Sequence, residues 1–128
     1  MSIVLDTSAL LAALLDEPGK DRVEDLINGA LLTTVNLSEV FDYFAKIGLD
    51  QAGISAMLQG VPFVAVPVDE DLAIAAGMMR PSGEAAGLSL GDRMCLALAR
   101  RTGRKVLTAD RAWPRIASAI GVEVELIR

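Results

Sequence analysis

With 128 residues the chain can build one ordinary core, and with no histidine it cannot run Ser-His-Asp or Cys-His chemistry, use a histidine base or hold a histidine-ligated zinc. A single cysteine, Cys95, excludes an internal disulfide and suits a reducing cytoplasm; its place in an apolar run marks it as a small core residue. The net charge of −5 argues against simple binding along a nucleic-acid backbone, although residues 1–92 carry −10 and residues 93–128 carry +5.

In chain order, apolar or β-branched runs at 2–5, 31–35, 62–68, 105–109 and 122–127 predict strands. Between them, helical spacing predicts helices at about 7–16, 20–28, 37–47, 51–59, 70–79, 90–102 and 112–120. Gly19, Gly29, Gly48, Gly60, Gly103 and Gly121 punctuate the pattern as helix stops or turns. The segment from Arg80 to Gly87 is the only loop long enough to suggest mobility, and it leads directly towards Asp92. Strands alternating with helices imply an α/β fold: a central parallel sheet of about five strands, flanked by helices, in one domain over residues 1–128.

Hydrophobic residues make up 52% and mean hydropathy is +0.44. The longest uninterrupted apolar run, Ala9 to Leu15, falls far short of the ~20 residues of a membrane span, and no basic segment precedes it. A cytoplasmic protein with no membrane partner is therefore expected. The surplus apolar surface, including Leu37, Val40, Phe41, Phe44 and Ile47, predicts a homodimer or a partner-binding groove.

Four acids occupy equivalent places in this scheme. Asp6 and Asp110 each end a predicted strand, and Glu39 and Asp92 each fall in the first turn of a predicted helix. In an open parallel sheet these places share one edge, the edge where ligands bind. Converging carboxylates repel, and a hard divalent cation with oxygen ligands resolves that repulsion. Thr7, Ser8 and Thr108 are the neighbouring hydroxyls that can orient the acids, Ser8 and Thr108 in the first place, since Thr7 reads more readily as a turn or cap residue. Each acid also has a structural reading. Asn36-x-x-Glu39 and Ser89-x-x-Asp92 fit capping boxes, and Asp6 and Asp110 fit helix N-caps. The bases Arg93, Arg100, Arg101, Arg104, Lys105, Arg111 and Arg115 flank two of the acids, as a phosphate-attracting rim or as ordinary helix-end charges.

Four segments now carry a resemblance: Leu5-Asp6-Thr7-Ser8-Ala9-Leu10, Val35-Asn36-Leu37-Ser38-Glu39-Val40, Gly87-Leu88-Ser89-Leu90-Gly91-Asp92-Arg93 and Leu107-Thr108-Ala109-Asp110-Arg111-Ala112-Trp113. In order and spacing they resemble the PIN-domain ribonucleases, in particular VapC-type toxins of toxin–antitoxin pairs. The resemblance implies a metal-dependent endoribonuclease that hydrolyses RNA phosphodiester bonds to inhibit translation until a cognate antitoxin blocks it. It also implies one or two Mg²⁺ or Mn²⁺ ions held by Asp6, Glu39, Asp92 and Asp110, with Ser8 and Thr108 in support. Arg93 and Arg111 are then candidates for phosphate contact. A bound cation would supply the water activation that a histidine base otherwise gives.

Rival readings differ in class. A metal-dependent phosphatase of the haloacid dehalogenase type also starts from an aspartate after the first strand, but its second acid would stand at Ser8. A receiver domain requires adjacent acids that are not evident here. A catalytically silent RNA- or protein-binding module, whose acids only cap helices, remains the alternative from a different class.

Overall fold

The computed structural model describes residues 2–79 and 87–128, so the predicted mobile loop lies outside the described residues except at Gly87. Five strands run β1 (Val4–Leu5), β2 (Leu31–Thr33), β3 (Val64–Val66), β4 (Val106–Thr108) and β5 (Val124–Leu126). Among the described residues seven helices accompany them: α1 (Thr7–Leu15), α2 (Lys20–Leu26), α3 (Thr34–Lys46), α4 (Gln51–Leu58), α5 (Glu70–Met78), α6 (Leu90–Thr102) and α7 (Trp113–Ala119). All strand pairs are parallel, in the order β3-β2-β1-β4-β5.

Alternation along the short central strands divides the core. Val4 pairs with Val106 and Leu5 with Leu107 across β1 and β4. Leu5 and Leu107 join a cluster that includes Leu10, Val23, Val40 and Ile54 from α1 to α4. Val4 and Val106 face the other way, onto Leu72, Ala76, Leu96 and Trp113. A period of two thus seals both faces of the sheet. Helix α6 is buried continuously from Met94 to Ala99, as its unbroken apolar run predicts.

The largest departure from expectation is at α3. The predicted strand 31–35 stops at Thr33, and the helix begins at Thr34 rather than 37. Thr33 is the reason, because its Oγ1 accepts the Asn36 amide N–H and so satisfies one of the helix's orphan donors. That cap draws β-branched Val35 into the first turn. Glu39 therefore sits in the second turn, and Asn36 lies inside the helix instead of capping it. The starts of α4, α5 and α6 follow their caps, with Asp50, Asp69 and Ser89 accepting the Gly53, Leu72 and Asp92 amides.

Candidate acidic site at the carboxyl edge of the sheet

The chain winds from β1 outward to β2 and β3, then crosses back to place β4 on the other side of β1. The reversal falls between β1 and β4, where the carboxyl ends open a crevice. Asp6 leaves β1 into that crevice and Thr108 ends β4 there. The N-terminal turns of α3 and α6 bring in Glu39 and Asp92.

Asp6 is 5% exposed and occupies the N-cap position of α1 without capping it. Its Oδ2 accepts from Ser8 Oγ at 2.6 Å and Thr108 Oγ1 at 2.8 Å. Thr108 Oγ1 also accepts the Asp110 amide at 3.0 Å, and Ser8 Oγ accepts that of Ala109 at 3.0 Å. The two hydroxyls therefore tie the end of β4 to the start of α1. Burial pushes the Asp6 carboxyl up to about 6 against the hydroxyl bonds, and the nearby charge of Asp92 adds to the rise.

Glu39 is half-buried. Its Oε1 accepts from Thr7 Oγ1 at 2.7 Å and Asn36 Nδ2 at 2.8 Å. Thr7 is thus a pocket residue, not the simple turn residue expected. Asp92 does form the predicted capping box, its Oδ2 accepting the Ser89 amide while Ser89 Oγ accepts the Asp92 amide. Burial lifts the Asp92 carboxyl above its ordinary value, Ser89 opposes the rise, and the charges of Glu39 and Asp110 reinforce it. Asp92 is the electrostatic hub of the quartet. Asp110 is exposed and accepts the Ala112 amide at 2.9 Å, so it caps the turn before α7 while Ala112 takes the helix N-cap.

The structure therefore gathers all four acids into one electrostatic neighbourhood. Cys95 marks its floor: the thiol is fully buried, points at the Leu5 carbonyl, and is pushed well up by burial and then by the charges of Asp6, Asp92 and Glu39. Among the described residues no lysine or arginine forms an ion pair with any of the four. Among the same residues no three acidic or thiol side chains already surround one point closely enough to hold a metal ion.

The expected basic rim is only partly present. Arg101 pairs with Asp69 and Lys105 with Glu125, both far along the chain's path from the pocket, at the opposite end of α6 and the start of β4. Arg93 and Arg111 remain adjacent in sequence to pocket acids. Arg111 is exposed, whereas Arg93 is half-buried with its Nε enclosed and unpartnered among the described residues.

Asn36 and Gly91 are pocket residues that motif reasoning missed. Asn36 is fully buried and its Nδ2 also donates to the Gly91 carbonyl at 3.1 Å. A Cβ at Gly91 would collide with Oε2 of Glu39 and lie 2.6 Å from its Cδ. The only signal available beforehand was a glycine inside the first turn of a helix, where it costs roughly 0.5–1 kcal/mol relative to alanine and so demands a packing reason.

An open parallel sheet with an acidic crevice at its switch point defines the class. The particular family follows from comparison: the PIN domain model matches residues 3–119, and the chain belongs to that family. Solved structures share the fold. A DNA-bound VapBC from Salmonella typhimurium aligns with a TM-score of 0.77 and 21% identity, covering 100% of this chain and 99% of the other. A toxin–antitoxin complex from Klebsiella pneumoniae gives 0.73 and 18%, covering 99% and 98%. A VapBC2 from Rickettsia felis bound to a promoter DNA fragment gives 0.73 and 17%, covering 98% of each chain. A search of curated protein sequences gives no match.

Proposed function

We propose that this chain is a Mg²⁺- or Mn²⁺-dependent endoribonuclease and the toxin of a toxin–antitoxin pair. The observation that carries the reading is the state of Asp6. Its carboxylate is buried, raised to about 6, repelled by Asp92, and offset by hydroxyl bonds and the Thr7 backbone with no ion pair among the described residues. A capping role accounts for Asp92 but not for Asp6 or Glu39, whose side chains cap no helix. That asymmetry disfavours the silent-module reading.

The donor set fits a hard cation. It is all oxygen and carries up to four negative charges, with no histidine available and the one thiol buried and held protonated. Asp6, Glu39, Asp92 and Asp110 would hold the ion, and Ser8, Thr108, Thr7 and Asn36 would fix the orientation of the carboxylates. Once bound, the ion supplies Lewis-acid polarisation of a phosphoryl oxygen and lowers the pKa of water. The protein contributes a preorganised anionic cradle, and Arg111 and Arg93 are the cations next to it in sequence for the backbone of an RNA.

The surface beside α3 supports the partner reading. Val40 and Phe44 are core, whereas Leu37 and Phe41 line two adjoining grooves of about 500 Å³ and 640 Å³ against α4. Tyr43 and Ile47 are exposed on the same helix. This apolar strip suits a homodimer contact or an antitoxin segment; the Salmonella, Klebsiella and Rickettsia relatives are themselves complexes with partners. No helix among the described residues is long and apolar enough to cross a membrane.

Asp92→Asn tests the reading. Asparagine preserves an acceptor for the Ser89 amide, so the fold should hold, while Mn²⁺ affinity falls and RNA cleavage disappears. Full cleavage by this variant in metal-depleted buffer would rule the mechanism out.

A further inference from the structure

A fully buried primary amide must place two N–H donors and a carbonyl acceptor without water. Asn36 does so completely. Its Nδ2 donates to Glu39 Oε1 at 2.8 Å and to the Gly91 carbonyl at 3.1 Å, while its Oδ1 accepts from Thr33 Oγ1 at 2.6 Å. Thr33 Oγ1 in turn accepts the Asn36 backbone amide at 3.0 Å. The set admits one orientation. A flipped amide would set its carbonyl oxygen against both the Glu39 carboxylate and the Gly91 carbonyl.

The effect on Glu39 is specific. Oε1 receives two donors from different elements, Thr7 of α1 and Asn36 of α3. Oε2 has no donor among the described residues, and the whole carboxylate lies where a side chain at position 91 would have to go. A flexible glutamate in the second turn of a helix is thereby reduced to one arrangement, with one oxygen committed to the scaffold and the other left over. The same amide bonds α3 to the first turn of α6, two residues from the start of the helix that carries Asp92.

We propose that Asn36 is a positioning residue: Gly91 leaves room for the Glu39 carboxylate, and the Asn36 amide, by committing Oε1, leaves Oε2 as the oxygen offered to the divalent cation. Cation affinity is then set at the α3–α6 contact and not by the count of acids alone. This inference rests on Glu39 being a cation ligand, as in the function proposed above.

Gly91→Ala, compared with and without the Glu39 carboxylate, separates positioning from stability. Within the first turn of α6 alanine is the better helix former, yet its Cβ must displace the Glu39 carboxylate. Titrating Mn²⁺ alone into the full-length protein by calorimetry, we expect Gly91→Ala to bind at least tenfold more weakly and, because the displaced carboxylate gives up its bonds from Thr7 and Asn36, to unfold at a modestly lower temperature. Asn36→Leu, which removes the donor at similar volume, should weaken binding to a comparable degree. In a Glu39→Gln background, Gly91→Ala should have no further effect, because the group it displaces is no longer charged. Parental Mn²⁺ affinity in Gly91→Ala, or a tenfold loss that persists in the Glu39→Gln background, would overturn the positioning role while leaving the nuclease reading intact. A parent protein that binds no Mn²⁺ would overturn the nuclease reading and this inference together.

Discussion

Two carboxylates of this molecule have opposite fates. On edge strand β5, Glu125 accepts from Arg22 Nε at 2.5 Å and Lys105 Nζ at 2.8 Å, and these partners hold its carboxyl down to about 2. At the end of central strand β1, Asp6 is met by two hydroxyls and the Thr7 backbone, without a cation among the described residues, and is pushed up to about 6. Charge on the rim of the sheet is matched by charge; among the described residues, charge in the crevice is not. The contrast teaches that the crevice works against the stability of the fold, as sites arranged for a ligand commonly do.

The largest effect expected from breaking this contrast is on activity. Glu39→Gln keeps an oxygen to accept from Thr7 and Asn36, so thermal unfolding should move little. Cleavage of a structured RNA should nevertheless fall by about three orders of magnitude, and growth inhibition on expression should vanish. Wild-type cleavage by this variant would remove Glu39 from the site. Next comes the cation itself. Supplying Mn²⁺ at about a hundred times its dissociation constant should stabilise the protein by roughly 2.7 kcal/mol in a thermal scan, and Glu125→Gln should retain that gain while Asp92→Asn loses it.

Asp6→Asn should sharpen the contrast through pH. A carboxyl raised from 3.8 to about 6 keeps its proton in the folded state where the unfolded chain has lost it, so stability declines as pH rises between those values. The full penalty is roughly 3 kcal/mol above pH 6, by ~1.4 kcal/mol per unit. With partial loss of the hydroxyl bonds, Asp6→Asn should gain about 1–2 kcal/mol at pH 7, gain little near pH 4, and flatten the profile between. A variant less stable than the parent at pH 7 would contradict the burial argument. The smallest effect belongs to Glu125→Gln. Its depressed carboxyl contributes stability that is present above pH 4.5 and lost as pH falls towards 2, so the substitution should cost under about 1 kcal/mol at pH 7 and show no difference below pH 2.

The architecture was legible because strand and helix periods are local properties. The runs around Val4, Leu31, Val64, Val106 and Val124 each became a parallel strand, and their alternation with helices implied the covered sheet. The acid quartet was legible as positions at one edge. What could not be read were the side-chain partnerships across the chain. Asn36 looked like a cap because Asn three residues before Glu is a cap pattern; the competing cap at Thr33 won, and tertiary packing against Gly91 buried the amide. Thr7 looked like a turn residue because its partner, Glu39, stands 32 positions away. The basic rim shrank because Arg101 and Lys105 found acids elsewhere that sequence proximity does not reveal, while Arg93 and Arg111 stayed beside the acids.

The insertion of β4 beside β1 has a consequence in time. The bond from Thr108 to Asp6 joins residues 102 positions apart, and Ser8 meets Thr108 across 100. A nascent chain emerging at about 5–20 residues per second therefore carries Asp6 in the open for roughly 5–20 seconds, and Asp92 for about 1–3 seconds, before the strand that completes their pocket exists. Contacts of such long range also close late, after their loop entropy has been overcome. For a protein proposed to attack the translation of its own cell, the topology acts as a delay: no ribosome-bound fragment shorter than about residue 108 can assemble the crevice.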